Sequence, residues 1–223
     1  MTDDIIKAIR AGDLTTLDRL LTADPTLASA RPDGQRTLLH IATDWPGHFP
    51  NVSQTITTLV AHGAKVNAPA LGMHHSETPL HWAASSDDVE ALDALLDHGA
   101  DSEALGGVIG GLTPLADAVA FATWRTAHRL VERGARPTIW QAAALGLMEK
   151  VVAHCNADPA PTGEVITNAF WGACHGGQLL TAQYLLREGA DLHWVGHDRL
   201  TPLGAALRNG TNPELIAWLR AQT

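Results

Sequence analysis

The chain predicts an all-α repeat fold, a solenoid of about seven stacked helix pairs, and three features carry that expectation. A phrase recurs: Thr78-Pro79-Leu80-His81-Trp82-Ala83-Ala84 has weaker copies opening at Thr37, Thr113, Asn168 and Thr201. A closing phrase, Leu95-Leu96-Asp97-His98-Gly99-Ala100-Asp101, returns in part at Gly63, Gly134 and Gly189. The spacing is regular, with 35 residues from Thr78 to Thr113, 33 from Asn168 to Thr201 and 35 from Gly99 to Gly134. A unit of that size makes one helix pair with an apolar face it cannot cover alone, so neighbouring units must stack.

Each element has its own punctuation. Thr78 can cap a helix through its hydroxyl, and Pro79 at the first helical position gives up an N–H that no helix would use. Thr113-Pro114 and Thr201-Pro202 repeat the device. Glycines 63, 99, 134 and 189 stand where a second helix must close in the left-handed conformation. Leu92, Leu95 and Leu96 recur at helical spacing, as do Leu179, Ala182, Leu185 and Leu186. Asp3 to Thr22 reads as a terminal cap pair turning at Gly12-Asp13-Leu14. Further pairs begin near Thr37, Thr78, Thr113, Pro137, Asn168 and Thr201. The last ends in Ile216-Ala217-Trp218-Leu219-Arg220 and a polar tail. A single domain is expected: residues 1–30 the N-terminal cap, 31–200 the central repeats, 201–223 the C-terminal cap.

The T-P-L-H-x-A phrase at this period resembles the ankyrin repeat. The resemblance covers nearly the whole chain and is strongest over residues 78–104. It implies a concave face, built by hairpin tips and first helices, where partners dock; in this chain short or missing β-hairpin loops are expected. Four departures stand out. Pro46-Gly47-His48-Phe49-Pro50 is inserted between the helices of the first full repeat, and Met73-His74-His75-Ser76-Glu77 lengthens the connection before Thr78. Gly106-Gly107-Val108-Ile109-Gly110-Gly111 makes a glycine-rich loop, whereas Gly134-Ala135 runs straight towards Pro137-Thr138, leaving no room for a hairpin. Residues 156–162 read as an irregular connector.

Composition narrows the partners. The net charge is −9, with no basic run, which argues against a nucleic-acid backbone or an anionic membrane as partner. The start, Met1-Thr2-Asp3-Asp4, lacks the basic and apolar stretches of a secretory leader, and no apolar run reaches the length that spans a bilayer. A cytoplasmic monomer is expected. Cys155 and Cys174 form no CxxC pair and are expected to be buried, reduced thiols. The 12 histidines raise the question of metal, and His74-His75-x-Glu77 is the best candidate. Adjacent histidines point apart and no pair has zinc-finger spacing, so no metal and no cofactor are expected. GxSxG, phosphate-loop, dinucleotide and HExxH motifs are absent.

Aligning the repeats on their threonines, as the resemblance allows, picks out the groove positions. The exposed pair after each Ala-Ala step is Asp44/Trp45, Ser85/Ser86, Ala120/Phe121, Ala144/Leu145, His175/Gly176 and Arg208/Asn209. Trp140 and Trp171 replace the motif histidine of His40 and His81. Asp117 occupies a normally apolar position, so its carboxyl is expected to be desolvated and raised in pKa unless bonded or paired. His197-Asp198 at a loop tip is a contact patch. The leading reading is a binding module that grips a partner protein through Asp44, Trp45, His74, His75, Glu77, Trp82, Ser85, Phe121, His197 and Asp198, with Asp117, Trp140, Trp171 and His175. The alternative is a small-molecule pocket around Asp117, Trp82, Trp140, Trp171 and His175, with Asp117 and His175 as an acid–base pair for cyclase, isomerase or hydrolase chemistry.

Overall fold

The structure, a computed structural model, describes residues 2–72, 76–210 and 212–222, the side chain of Thr2 excepted. His74 and His75 lie outside the described residues. Those described form fourteen α-helices and two short 3₁₀ helices, with no strand. Seven helix pairs therefore follow one another, and the loops between them are turns rather than paired strands. The chain divides into two compact units, Met1–Ala135 and Arg136–Thr223. The division falls where the sequence leaves out a hairpin.

The first unit holds α1 (Thr2–Ala11), α2 (Leu14–Ala23), α3 (Leu38–Ala42), α4 (Val52–Ala61), α5 (Pro79–Ser85), α6 (Val89–Asp97), α7 (Pro114–Ala120) and α8 (Trp124–Glu132). First helices pack in the order α1, α3, α5, α7 and second helices in the order α2, α4, α6, α8. Leu17, Leu21, Leu38, Leu39, Ile56, Leu59, Leu80 and Leu92 are fully buried between the rows. Each such side chain withdrawn from water contributes about 1.5–3 kcal/mol before the entropy of ordering is counted.

Successive first helices are tied together by one repeated device. The Thr37 N–H donates to His40 Nδ1 (3.3 Å) and the His40 N–H donates to Thr37 Oγ1 (3.3 Å), closing the helix end. Because Nδ1 accepts, the ring proton sits on Nε2, which donates to the Glu77 carbonyl (3.0 Å) just before the next helix cap. Burial holds the His40 pKa down to about 4, so the ring is neutral at pH 7. His81 repeats the pattern: Thr78 N–H to Nδ1 at 3.1 Å and Nε2 to the Leu112 carbonyl at 3.1 Å. Proline occupies the first turn of α5 and α7. Gly63, Gly99 and Gly134 have positive φ where α4, α6 and α8 close, as the sequence requires. The insertion after α3 is anchored too. The His48 N–H donates to Asp88 Oδ2 (2.6 Å), while Asp88 Oδ1 caps α6 through the Ala91 N–H (3.0 Å).

The second unit holds α9 (Ile139–Ala144), α10 (Met148–Cys155), α11 (Gly163–His175), α12 (Leu179–Arg187), α13 (Pro202–Asn209) and α14 (Pro213–Gln222). Here α11 lies between α9 and α13, with α10, α12 and α14 packed on their partners. Phe170, Leu185, Leu215 and Leu219 are at the centre of its core. One boundary differs from the sequence reading: α11 begins at Gly163, five residues before Asn168. Thr162 caps it through the Val165 N–H (3.4 Å), and Glu164-Val165-Ile166-Thr167 contains no breaker, so the helix extends back to the first available cap. Both cysteines are free, and burial pushes their thiols up in pKa, Cys174 most strongly. Among the described residues no helix is long and apolar enough to cross a membrane, and no cluster of three metal-ligating side chains occurs.

Candidate functional site

In the first unit the ends of three adjacent helices surround a depression of about 250 Å³. Asp44 and Trp45 follow α3, Ser85 and Ser86 end α5, and Phe121 caps α7. Glu77, Trp82 and Val108 complete the lining. Trp45 is 80% exposed and Phe121 51%, so two large rings stand in solvent on opposite sides of the hollow. Exposed rings gathered around one hollow mark a surface suited to interaction.

The floor is highly organised. Trp82 donates its indole N–H to Glu77 Oε2 (3.1 Å) and meets the His40 ring edge-on at 5.0 Å. The guanidinium of Arg36 lies 5.9 Å from the centre of the Trp82 ring, a cation–π contact. Arg36 also donates to Asp44 Oδ2 (2.8 Å), and Arg10 reaches the same oxygen at 3.7 Å. Ser85 Oγ is buried without a hydrogen-bond partner.

Asp117 lies behind this floor. It is fully buried, and the Ile109 N–H donates to its Oδ1 (3.1 Å). The glycine-rich loop must lie directly on the carboxyl, because a Cβ at Gly107 would stand 2.6 Å from Asp117 Oδ2. Burial, reinforced by the neighbouring Glu77 carboxylate, raises the Asp117 pKa to about 7 against the Ile109 bond that lowers it. The carboxyl is thus covered by loop backbone and has no open side for a reacting atom. The acid–base reading of Asp117 gains no support from this arrangement.

Trp140, Trp171 and His175 belong to the second unit. Trp171 is only 4% exposed, and its indole N–H donates to the Leu200 carbonyl (2.9 Å). Leu200 precedes Thr201 as Glu77 precedes Thr78 and Leu112 precedes Thr113. Trp171 therefore does the tying that His40 and His81 do elsewhere, with an indole in place of an imidazole. Trp171→Phe removes that bond but leaves the carbonyl the Gly196 N–H (3.0 Å), so it should lower the second unit's stability by about 1 kcal/mol in urea unfolding. An unchanged midpoint would show that the bond contributes nothing.

His175 is buried and stacks on Trp171 at 5.3 Å. Its Nδ1 accepts from Asn209 Nδ2 (2.9 Å), which also donates to the His175 carbonyl (2.7 Å). The ring is a packed strut here, offering little surface to a partner. His197 is exposed, meets Trp171 edge-on at 5.1 Å and bonds Asn168 Oδ1 through Nε2 (3.2 Å). Asp198 is exposed and pairs with Arg208. Trp140 is partly buried at the start of α9.

Sequence reasoning singled out Asp44, Trp45, Glu77, Trp82, Ser85 and Phe121, which the fold brings to one depression. It passed over Arg36 and the groove role of Val108. Extending the alignment one residue ahead of the motif threonine would have placed Arg36, Glu77, Leu112 and Leu200 in one register.

The chain has the ankyrin-repeat fold. Residues 75–104 match the family model for the ankyrin repeat. The whole chain is similar to the crystal structure of the ankyrin repeat domain of Bcl-3, described as a unique member of the IkappaB protein family. The TM-score is 0.58 and the identity 24%, with 97% of each chain covered. No curated protein sequence is significantly similar to it.

Proposed function

We propose that the protein is a binding module, not an enzyme, that grips a partner protein through the depression at the ends of α3, α5 and α7. It would act as a cytoplasmic monomer. One observation carries the reading: Trp45 and Phe121 stand exposed on either side of a rigidly bonded floor. Large rings held at the edge of a preformed hollow are what interfaces use as anchors, because little side-chain entropy remains to be lost on docking. Ankyrin repeats in general serve as protein-interaction modules, which agrees with this.

The test is affinity capture with the full chain as bait, beside a Trp45→Ala/Phe121→Ala variant. Truncating two exposed rings should change stability by no more than about 0.5 kcal/mol. It should weaken capture of a stoichiometric partner by about 100-fold or more, as loss of two anchors would. Equal capture by both baits, or no stoichiometric partner, would defeat the proposal.

A further inference from the structure

The depression combines aromatic rings with carboxylates, and the Arg36 guanidinium beside its floor is already engaged by Asp33, Asp44 and the Trp82 ring. Trp45, Trp82 and Phe121 offer ring faces, which carry negative potential and attract cations. Asp44 and Glu77 place two carboxylates here, Asp44 paired through Oδ2 with Arg36 and Arg10 and Glu77 buried and bonded to the Trp82 indole. Ser85 lines the same wall, its Oγ turned out of water and without a hydrogen-bond partner. We infer that this depression receives a lysine or arginine side chain of the partner protein, its stem between Trp45 and Phe121 and its cationic head directed to Glu77.

Three considerations favour that occupant over an apolar one. An aliphatic side chain would take the partly exposed Asp44 carboxylate further out of water while bringing no donor, and lost hydration of that kind opposes binding. A basic side chain brings donors on a methylene stem, and the stem suits Val108 and the rings. The net charge of −9 also steers basic partners towards the chain and repels acidic ones. Arg36 shows the same chemistry within the fold, since its guanidinium already lies over Trp82 while bonded to Asp44. The inference rests on the proposed docking groove and adds the chemistry of what enters it.

A phage-displayed library of random peptides, selected on the full chain, tests it. The enriched peptides should share a lysine or arginine, and binding should disappear with Trp45→Ala. Replacing that residue by norleucine should weaken binding to the unmodified chain at least about tenfold. The same replacement should cost little against Glu77→Gln, whose amide oxygen can still accept the Trp82 indole N–H. Salt should weaken binding of the original peptide and leave the norleucine peptide largely unaffected. If the peptides require Trp45 but share no basic residue, or if the norleucine and Glu77→Gln losses simply add, the charge inference is overturned and the groove remains. If no selected peptide depends on Trp45, the groove reading falls as well. The norleucine comparison on the unmodified chain decides the matter even where a variant fails to fold.

Discussion

Gly176→Ala is expected to lower the stability of the second unit by about 3 kcal/mol or more, although alanine is ordinarily the better residue in a helix. Gly172, in the last turn of α11, and Gly176, its C-cap one turn further on, face the backbone of α9. A Cβ at 176 would stand 1.8 Å from the Ala144 carbonyl oxygen, and one at 172 would stand 2.8 Å from that of Trp140. Both obstacles are backbone atoms, which cannot swing aside as a side chain could. The two helices must separate, and the core around Ala143, Ala169 and Phe170 opens with them. Gly163→Ala is the matched control, since a Cβ there meets nothing within 4 Å. That change should be neutral or slightly stabilising. Urea unfolding followed by tryptophan fluorescence separates the two cases. Equal midpoints for Gly176→Ala and Gly163→Ala would sink the argument.

The second large effect is electrostatic. Asp117 has a folded-state pKa of about 7 against an ordinary 3.8 because it is buried, with Glu77 beside it. A carboxyl whose pKa is raised on folding stabilises the fold fully below its unfolded value, and that contribution is lost as pH rises towards 7. The span corresponds to roughly 4 kcal/mol. Asp117→Asn keeps an acceptor for the Ile109 N–H, supplies a donor for Glu77 and cannot ionise. The variant should therefore gain on the unmodified protein by about 2–3 kcal/mol between pH 5 and pH 8. The comparison must be a difference between the two proteins. His40, held down to about 4, contributes the opposite slope, gaining stability from about pH 4 to 6.5. It does so equally in both. Superimposable pH profiles would show that Asp117 does not titrate in this range.

Much of the candidate site could be read from the repeat alone, because a repeat supplies its own alignment. Asp44, Trp45, Ser85 and Phe121 share one register after the Ala-Ala step, and helices stacked in register must bring that register to one face. What lies beneath was less legible. Glu77 attracted attention beside two histidines as a metal ligand, yet in the fold it accepts the Trp82 indole and adjoins Asp117. The partner of a polar group forty residues away depends on loop path, which periodicity does not encode. Trp171 shows the same limit. Its register marked it as a substitute for the motif histidine, but the Leu200 carbonyl decides that it is buried as a tie.

The sequence by itself determined the all-α repeat, the helix starts at Thr37, Thr78, Thr113 and Thr201, and the left-handed glycine closures. Those follow from local rules of capping and from the need of each apolar face to find a neighbour. The start of α11 at Gly163, the burial of Asp117 under Gly107, and the backbone contact of α9 with Gly172 and Gly176 were decided only by the tertiary structure. Each depends on where a distant carbonyl or loop comes to rest, and that distance is set by packing rather than by any spacing along the chain.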